Sequence, residues 1–271
     1  MSESPVRSEQ RGKVLLITLD RPKANAINAG VSRALHAAFD RLQRDEGLLV
    51  GVLTSANERI FSAGWDLKEV AAGLYDPLVH FDPVKGHGPG GFAGIVENFE
   101  LNKPVIAAIR GAAIGGGFEM AMACDILLAS PDAWFQLPEM QRGFLPDAGG
   151  VQRLPRLIPP NVAKAMILTG RRMEAAEAKH WGLVHEIHAA GELLAKALEM
   201  AADIAKSAPL ALQALKAVLR ANEDWPLPEG LRRARPGQSG IEIFERMSNS
   251  EDFPEGPRAF AEKREPRWKG R

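Results

Sequence analysis

The stretch PVIAAIRGAAIGGGFEMAMACDILLA, residues 104–129, holds the pattern that decides the fold. Its first six residues form a short apolar run typical of a buried strand, and residues 125–129 form a second one. Between them, three consecutive glycines precede residues 117–124, which have the composition of a buried helix. Strand, glycine turn, helix and strand in this order predict an α/β protein.

The same alternation continues on both sides of this stretch. Residues 14–19 and 48–54 are predicted strands, and Asn28 is a suitable N-cap for a helix that runs to about Arg44. We also predict helix from Asp66 and over residues 92–101. From residue 159 onward most segments favour helix. We therefore divide the chain into an α/β core, residues 1–204, and a C-terminal helical region, residues 205–271.

Composition excludes several classes of function. The chain has 271 residues with 34 Lys and Arg against 34 Asp and Glu, so it lacks the basic excess of a nucleic-acid-binding protein. It has one cysteine, Cys124, which cannot form an intrachain disulfide, and its six histidines show no metal-ligand spacing. No apolar run is long enough to span a membrane. We expect a cytoplasmic protein that binds neither metal, nucleic acid nor membrane.

Two glutamates follow glycine- or proline-marked turns. Glu119 ends the segment GGGFE and Glu139 ends the segment FQLPE, twenty residues further on. Consecutive glycines before a helix leave backbone N–H groups able to bind an oxyanion. Two carboxyl groups beside such a site suit proton transfer next to a thioester carbonyl. The alternatives are a solvated helix residue for Glu119 and a carboxylate in the first turn of a helix for Glu139.

Six ordered segments resemble successive signatures of the enoyl-CoA hydratase/isomerase (crotonase) superfamily. Their order and spacing match over essentially the whole chain, which is far more specific than one glycine motif. The segments are ITLDRP (17–22), FSAGWDLK (61–68), KPVIAA (103–108), GGGFE (115–119), PE (138–139) and GGVQRL (149–154). The stretches most similar to one branch, the carnitinyl-CoA dehydratases or crotonobetainyl-CoA hydratases, are 61–68, 90–94, 169–173, 259–264 and 268–271.

The resemblance implies a fold and a reaction. The fold is a spiral of ββα units whose C-terminal helices pack homotrimers or dimers of trimers. The substrate is an acyl-CoA thioester, so that coenzyme A is part of the substrate and no separate cofactor is implied. The backbone N–H groups of Trp65 and Gly116 would form the oxyanion hole that stabilises the enolate. Glu119 would deprotonate the water that adds at C3, and Glu139 would exchange the proton at C2.

The resemblance also places the two ends of the substrate. Coenzyme A would lie against small residues and lysines near the first strand and the 61–68 segment, with two residues of the C-terminal helix completing the site from a neighbouring subunit. These predicted contacts are Lys23, Ala24, Ala26, Ala63, Asp66, Leu67, Lys68, Phe260 and Lys263. The acyl group, carnitinyl or crotonobetainyl in the narrower branch, would lie against Asp147, Phe92, Phe118 and Phe144.

The residue at position 147 leaves two reactions possible, hydration and double-bond isomerisation. Asp147 replaces a glycine that is common in simple enoyl-CoA hydratases, and an aspartate there also occurs in dienoyl-CoA isomerases, where it is catalytic. It could instead be the N-cap of a helix that begins near Gly150. Our leading hypothesis is reversible hydration of a short acyl-CoA. The alternatives are a double-bond isomerase on the same scaffold and an RNA-binding homologue, which would need a basic surface.

Overall fold

The computed structural model describes residues 4–73, 82 and 84–271. The strands are β1 Val6–Arg11, β2 Val14–Leu19, β3 Val50–Ser55, β4 Ile60–Ser62, β5 Val105–Ile109, β6 Ala112–Ile114, β7 Ile126–Ala129, β8 Trp134–Gln136, β9 Met173–Glu174 and β10 Glu186–Ile187. The helices of the first two thirds are α1 Ala29–Arg44, α2 Leu67–Ala71, α3 Gly116–Met122, α4 Gly150–Leu157, α5 Pro160–Thr169 and α6 Ala175–His180. Those that follow are α7 Leu193–Ile204, α8 Pro209–Asn222, α9 Leu227–Arg233, α10 Glu242–Ser248 and α11 Glu255–Ala261.

The strands form two sheets that share a repeating connection. The larger sheet has the order β1-β2-β3-β5-β7-β10 and the smaller one β4-β6-β8-β9. Each turn of the chain adds one strand to the larger sheet, one to the smaller sheet and then a helical segment: β3-β4-α2, β5-β6-α3, and β7-β8 followed by the 3₁₀ helix Glu139–Arg142. The predicted spiral of ββα units is confirmed.

The larger sheet is covered on both faces. All five residues of β5 are buried, as expected for a parallel strand inside a sheet with no solvent-facing side. On one face, Ala197 and Ala201 of α7 pack against Val52 and Ile106. On the other face, α1 contributes fully buried side chains to the main core, among them Leu35, Phe39 and Leu42. Burial on both faces fixes the carboxyl ends of the strands, where the site is built.

Two local interpretations were wrong, and one strand was not predicted. The predicted helix over residues 92–101 shortens to the 3₁₀ segment Phe92–Gly94, because positive φ angles at Gly91, Ala93 and Gly94 (67°, 55° and 66°) break an α-helix. The polar segment at the N-terminus forms β1, which pairs along its whole length with β2 although five of its six residues are exposed. Asp147 is not a cap, since the N-cap of α4 is Gly149. The sequence also predicts an irregular Pro- and Gly-rich segment over residues 75–91, and residues 75–81 and 83 of it lie outside the described residues.

The C-terminal helices are present as predicted, and α8 binds to the core. Lys216 forms an ion pair of 2.7 Å with Asp125, and Arg220 donates to the side chain of Asn102 at 2.9 Å. Both contacts link α8 to the loops at the amino ends of β5 and β7. The boundary at residue 204 stays a prediction, because these contacts join the two regions within one chain.

Asn25 organises the loop between β2 and α1. It is 1% exposed and has a positive φ of 49°, a conformation that asparagine tolerates better than most residues. Its side-chain amide donates to Ser55 Oγ (2.7 Å) and to the carbonyl of Phe61 (3.1 Å), and its Oδ1 accepts from the N–H of Arg21 (2.8 Å). One buried side chain therefore joins this loop to the ends of β3 and β4.

We expect Asn25→Ala to lower the free energy of unfolding by about 2 to 4 kcal/mol, because it leaves buried polar groups unpaired and strains a positive φ. Urea unfolding followed by circular dichroism at a fixed chain concentration measures this. Asn161→Ala, at an exposed position of α5, is the control and should change stability by less than about 0.5 kcal/mol. Equal effects of the two substitutions would show that the Asn25 contacts do not organise the loop.

Candidate active site

A cleft of about 580 Å³ opens at the carboxyl ends of the central strands. Seven of the nine predicted coenzyme A contacts line it: Lys23, Ala24, Ala26, Ala63, Asp66, Leu67 and Lys68. Trp65, Gly116 and Glu139 line the same cleft. The structure thus brings together residues that lie more than a hundred positions apart in sequence.

One wall of the cleft consists of two backbone segments, residues 24–27 and 63–66, which are hydrogen-bonded to each other. Ala63 N–H donates to the carbonyl of Ala24 at 2.9 Å, Ile27 N–H to Gly64 at 2.7 Å, and Asp66 N–H to Ile27 at 2.9 Å. Because alanines occupy positions 24, 26 and 63, this wall presents mostly backbone. A flat ring can approach such a surface closely.

Asp66 and Arg21 hold this wall in place. Asp66 is 9% exposed and forms an ion pair of 2.7 Å with Arg21, and its other oxygen accepts the N–H of Lys68 at the start of α2. Arg21 also donates to the carbonyl of Ala26 at 2.7 Å. Asp66 therefore lines the cleft and also fixes the loop that forms its wall. Sequence reasoning missed Arg21, whose partner could not be known before the two loops met.

Glycines bring the two predicted oxyanion-hole segments together. Gly64 has a φ of 80°, and a Cβ there would lie 2.7 Å from the nitrogen of Gly116 and 2.6 Å from the carbonyl oxygen of Ile114. At Gly116 a Cβ would lie 2.5 Å from the ring of Phe92. A side chain at Gly64 would push the two segments apart, and one at Gly116 would collide with the ring of Phe92. The backbone of Trp65 and Gly116 consequently meets at one place, and the oxyanion role stays a prediction.

Glu119 is buried in α3. It is 2% exposed, and its Oε1 accepts the N–H of Gly150, the first residue of α4, at 2.7 Å. Burial raises the pKa of Glu119 to about 8, and the nearby charges of Glu139 and Asp147 add to the effect. The hydrogen bond from Gly150 opposes this shift and fixes the orientation of the carboxyl group.

Glu139 begins the 3₁₀ helix after β8. It is 5% exposed, its Oε1 lies against Gly115, and its Oε2 has no hydrogen-bond partner among the described residues. Burial raises the pKa of Glu139 to about 7, with a further rise from Asp147 and an opposing effect from the cation of Arg142. An unpartnered buried oxygen at the end of a cleft is suited to accept a proton from a ligand.

A smaller inner cavity adjoins the cleft and contains both glutamates. Its walls are Trp65, Phe92, Glu97, Gly116, Glu119, Glu139, Phe144, Leu145, Asp147 and Ala148. Burial raises the pKa of both carboxyl groups, and a charge on Glu139 raises that of Glu119 further, so ionisation of both at once is disfavoured. One carboxylate and one carboxylic acid facing one cavity can remove a proton and supply another.

Three of the four residues predicted for the acyl pocket lie in the inner cavity. Phe92, Phe144 and Asp147 line the inner cavity, and the rings of Trp65 and Phe144 meet edge to face at 6.0 Å. Phe118 is not in the pocket. It is fully buried and packs against Phe135 in the core, because it follows the glycine turn on the face of α3 that points away from the cavity.

Phe260 and Lys263 lie apart from the cleft. Phe260, near the end of α11, is 87% exposed, and neither residue lines the cleft or the inner cavity. Within one chain they do not complete a coenzyme A site, and their predicted role stays untested.

Among the described residues, no group of three or more histidine, cysteine or acidic side chains is arranged to hold a metal ion. The absence of a metal from the reaction stays a prediction. None of the helices in the described ranges is both long and apolar enough to cross a membrane.

Comparison with known proteins assigns the family. The model of the family described as enoyl-CoA hydratase/isomerase matches residues 9–271. The chain belongs to this family. Carnitinyl-CoA dehydratases of Salmonella heidelberg (strain SL476) and Salmonella typhimurium (strain LT2) are each 48% identical to it over 271 residues, covering all of both chains.

Solved structures of the family have the same fold. The enoyl-CoA hydratase of Mycobacterium tuberculosis H37Rv superimposes with a TM-score of 0.87 at 37% identity, covering 99% of this chain and 100% of that one. The enoyl-CoA hydratase of Bacillus anthracis gives 0.85 at 35% identity, with 98% and 100% covered. These likenesses extend over the cleft as well as the sheets, since the coverage is almost complete.

Proposed function

We propose that this member of the enoyl-CoA hydratase/isomerase family catalyses reversible hydration and dehydration of a short acyl-CoA thioester. The observation that carries the proposal is the pair of buried glutamates, with pKa values of about 8 and about 7, in one cavity beside the Gly116 backbone. Addition of water across a double bond requires one base and one acid on the same substrate. The pair supplies both at neutral pH.

In dehydration, ionised Glu139 removes the proton at C2 and the electron pair moves to the thioester oxygen. The N–H groups of Trp65 and Gly116 stabilise the resulting enolate. Protonated Glu119 then donates to the hydroxyl group at C3, which leaves as water as the double bond forms. Hydration reverses each step. Deeper burial of Glu119 favours the proton there, which is the arrangement that dehydration needs.

Carnitinyl-CoA, with crotonobetainyl-CoA as its dehydrated form, is the proposed substrate. The two Salmonella relatives named for carnitinyl-CoA support it. Asp147 and the aromatic rings of the inner cavity support it independently, since a trimethylammonium group needs negative charge or aromatic faces to replace its water.

A double-bond isomerase is the second candidate, because Asp147 gives the cavity a carboxyl group besides the two glutamates assigned to hydration. The two reactions differ in the fate of water. Hydration incorporates oxygen from ¹⁸O-labelled water at C3 of the product, whereas isomerisation leaves the product without it.

We also propose that the chain forms a homotrimer or a dimer of trimers through its C-terminal helices. Several large apolar residues in this region are exposed in the single chain, which is typical of an interface. They are Leu215, Leu219, Leu227, Leu231, Phe253 and Phe260.

We expect Glu119→Gln and Glu139→Gln each to lower the rate of crotonobetainyl-CoA hydration by about 10² to 10⁴-fold, because each glutamine keeps the shape but cannot transfer the proton. The decrease in enoyl-thioester absorbance measures the rate. Glu100→Gln, at an exposed site outside both cavities, is the matched control and should leave the rate unchanged. Near-wild-type turnover in either active-site variant would refute the assignment.

Phe260→Ala tests the proposed assembly. Since Phe260 is 87% exposed, its loss should not disturb folding of the chain, yet it should weaken both trimer formation and coenzyme A binding. Sedimentation velocity and calorimetric titration with coenzyme A measure the two effects. Phe99→Ala, at another exposed aromatic residue, is the control. An intact trimer with unchanged affinity for coenzyme A would contradict the shared role of Phe260.

A further inference from the structure

We propose that Glu97 determines specificity for a positively charged acyl end, by holding a quaternary ammonium group in the inner cavity together with Asp147. The inference deepens the proposed function and rests on it for the orientation of the thioester. Sequence reasoning had singled out Asp147 but not Glu97.

The first observation is the charge of the cavity wall. Four acidic residues line the inner cavity, and no lysine or arginine is among its described lining residues. Two of the four, Glu119 and Glu139, are assigned to proton transfer in the proposed reaction. Glu139 is 5% exposed and its Oε2 has no hydrogen-bond partner among the described residues, so its negative charge, when ionised, also faces this space. An anionic acyl group would be repelled here, whereas a cationic one would be attracted.

The second observation is the way Glu97 is held. Gly91 has a φ of 67°, and a Cβ there would lie 2.8 to 2.9 Å from the Cβ, Cγ and Cδ atoms of Glu97. The Glu97 side chain therefore lies directly on the Gly91 backbone. The N–H of Glu97 donates to the carbonyl of Gly90 at 3.0 Å, which closes the same turn. Glycine at position 91 lets the carboxylate reach the cavity wall.

The third observation is that no described residue pairs directly with this carboxylate. Glu97 makes no side-chain hydrogen bond or ion pair with any residue that the structure describes. Arg153 interacts electrostatically with Glu97, but its guanidinium group donates to the carbonyl of Val96 at 2.7 Å and does not line the cavity. Glu97 is exposed and lines the inner cavity, so its carboxylate faces solvent as well as whatever occupies the cavity.

The remaining walls favour a quaternary ammonium over a primary amine. Trp65, Phe92 and Phe144 present aromatic rings to the cavity. A trimethylammonium group has no N–H to donate and is bound by charge and aromatic faces, which this cavity combines. Glu97 and Asp147 come from two different loops, so that a cation between them would be contacted from two segments of the chain.

The test uses binding and does not depend on turnover. Calorimetric titration compares γ-butyrobetainyl-CoA with 5,5-dimethylhexanoyl-CoA, in which carbon replaces nitrogen; both are saturated and unreactive in hydration. We expect the wild-type protein to bind the charged analogue at least about tenfold more tightly. Glu97→Gln should reduce this preference about fivefold or more while leaving affinity for the neutral analogue unchanged. Glu100→Gln, on the same segment but outside the cavity, should retain the full preference.

Equal wild-type affinity for the two analogues would overturn the inference. So would a Glu97→Gln variant that keeps the preference, or one that weakens both analogues equally, because the latter shows a purely structural role. Asp147→Asn in the same titration should reduce the preference as well. The proposed function fails separately: a wild-type protein that prefers the charged analogue but does not hydrate crotonobetainyl-CoA would refute the reaction and leave the cation site standing.

Discussion

The burial of two carboxyl groups in one cavity is the constraint on which the site depends. Neither Glu119 nor Glu139 forms an ion pair with a described residue, so burial and mutual repulsion both act against ionisation. A carboxyl group whose pKa is raised in the folded state contributes stability at low pH and loses it as the pH rises. The protein therefore loses part of its folding free energy between the ordinary glutamate range and about pH 8. We interpret this loss of stability as a consequence of keeping one glutamate protonated and the other ionised near neutral pH.

Close backbone packing makes that burial possible. Gly64 and Gly116 bring two loops within van der Waals contact, while Gly150 supplies the N–H that orients Glu119. The strands that carry these loops are fixed by α1 and α7 on the two faces of the larger sheet. A rigid scaffold of this kind can hold carboxyl groups at a fixed separation from a substrate, which the proposed proton transfers require.

How far the sequence predicts the structure depends on whether the deciding interaction is local. The helix that starts after Asn28 was predicted from one residue, and the structure confirms that its Oδ1 accepts the N–H of Val31 at 3.0 Å. The bounds of β2 were predicted correctly because each of its residues is apolar or β-branched. The site residues that cluster in the cleft were placed through the family resemblance, since no periodicity connects residues 23, 65 and 139.

The failures arise where distant segments decide the outcome. Residues 92–101 have helical composition, but Gly91 and Gly94 take positive φ angles, and Gly94 packs directly against the backbone of α1. The Arg21–Asp66 ion pair and the position of Glu97 on Gly91 depend on loops that meet only in the folded chain. Phe118 was proposed for the pocket as an aromatic face for a cationic acyl group, yet it is buried in the core, because adjacent residues of a helix point in different directions.

The most direct test of the account is a carbon-13 NMR titration of the protein labelled at the glutamate carboxyl carbons. Glu119→Gln and Glu139→Gln variants assign the two signals. We predict that both carboxyl groups titrate in the neutral range, Glu139 at about 7 and Glu119 at about 8, and that removing one lowers the pKa of the other. If both groups instead titrate near 4.5, the ordinary pKa of a glutamate, each is independently ionised at neutral pH and the shared-proton mechanism is contradicted.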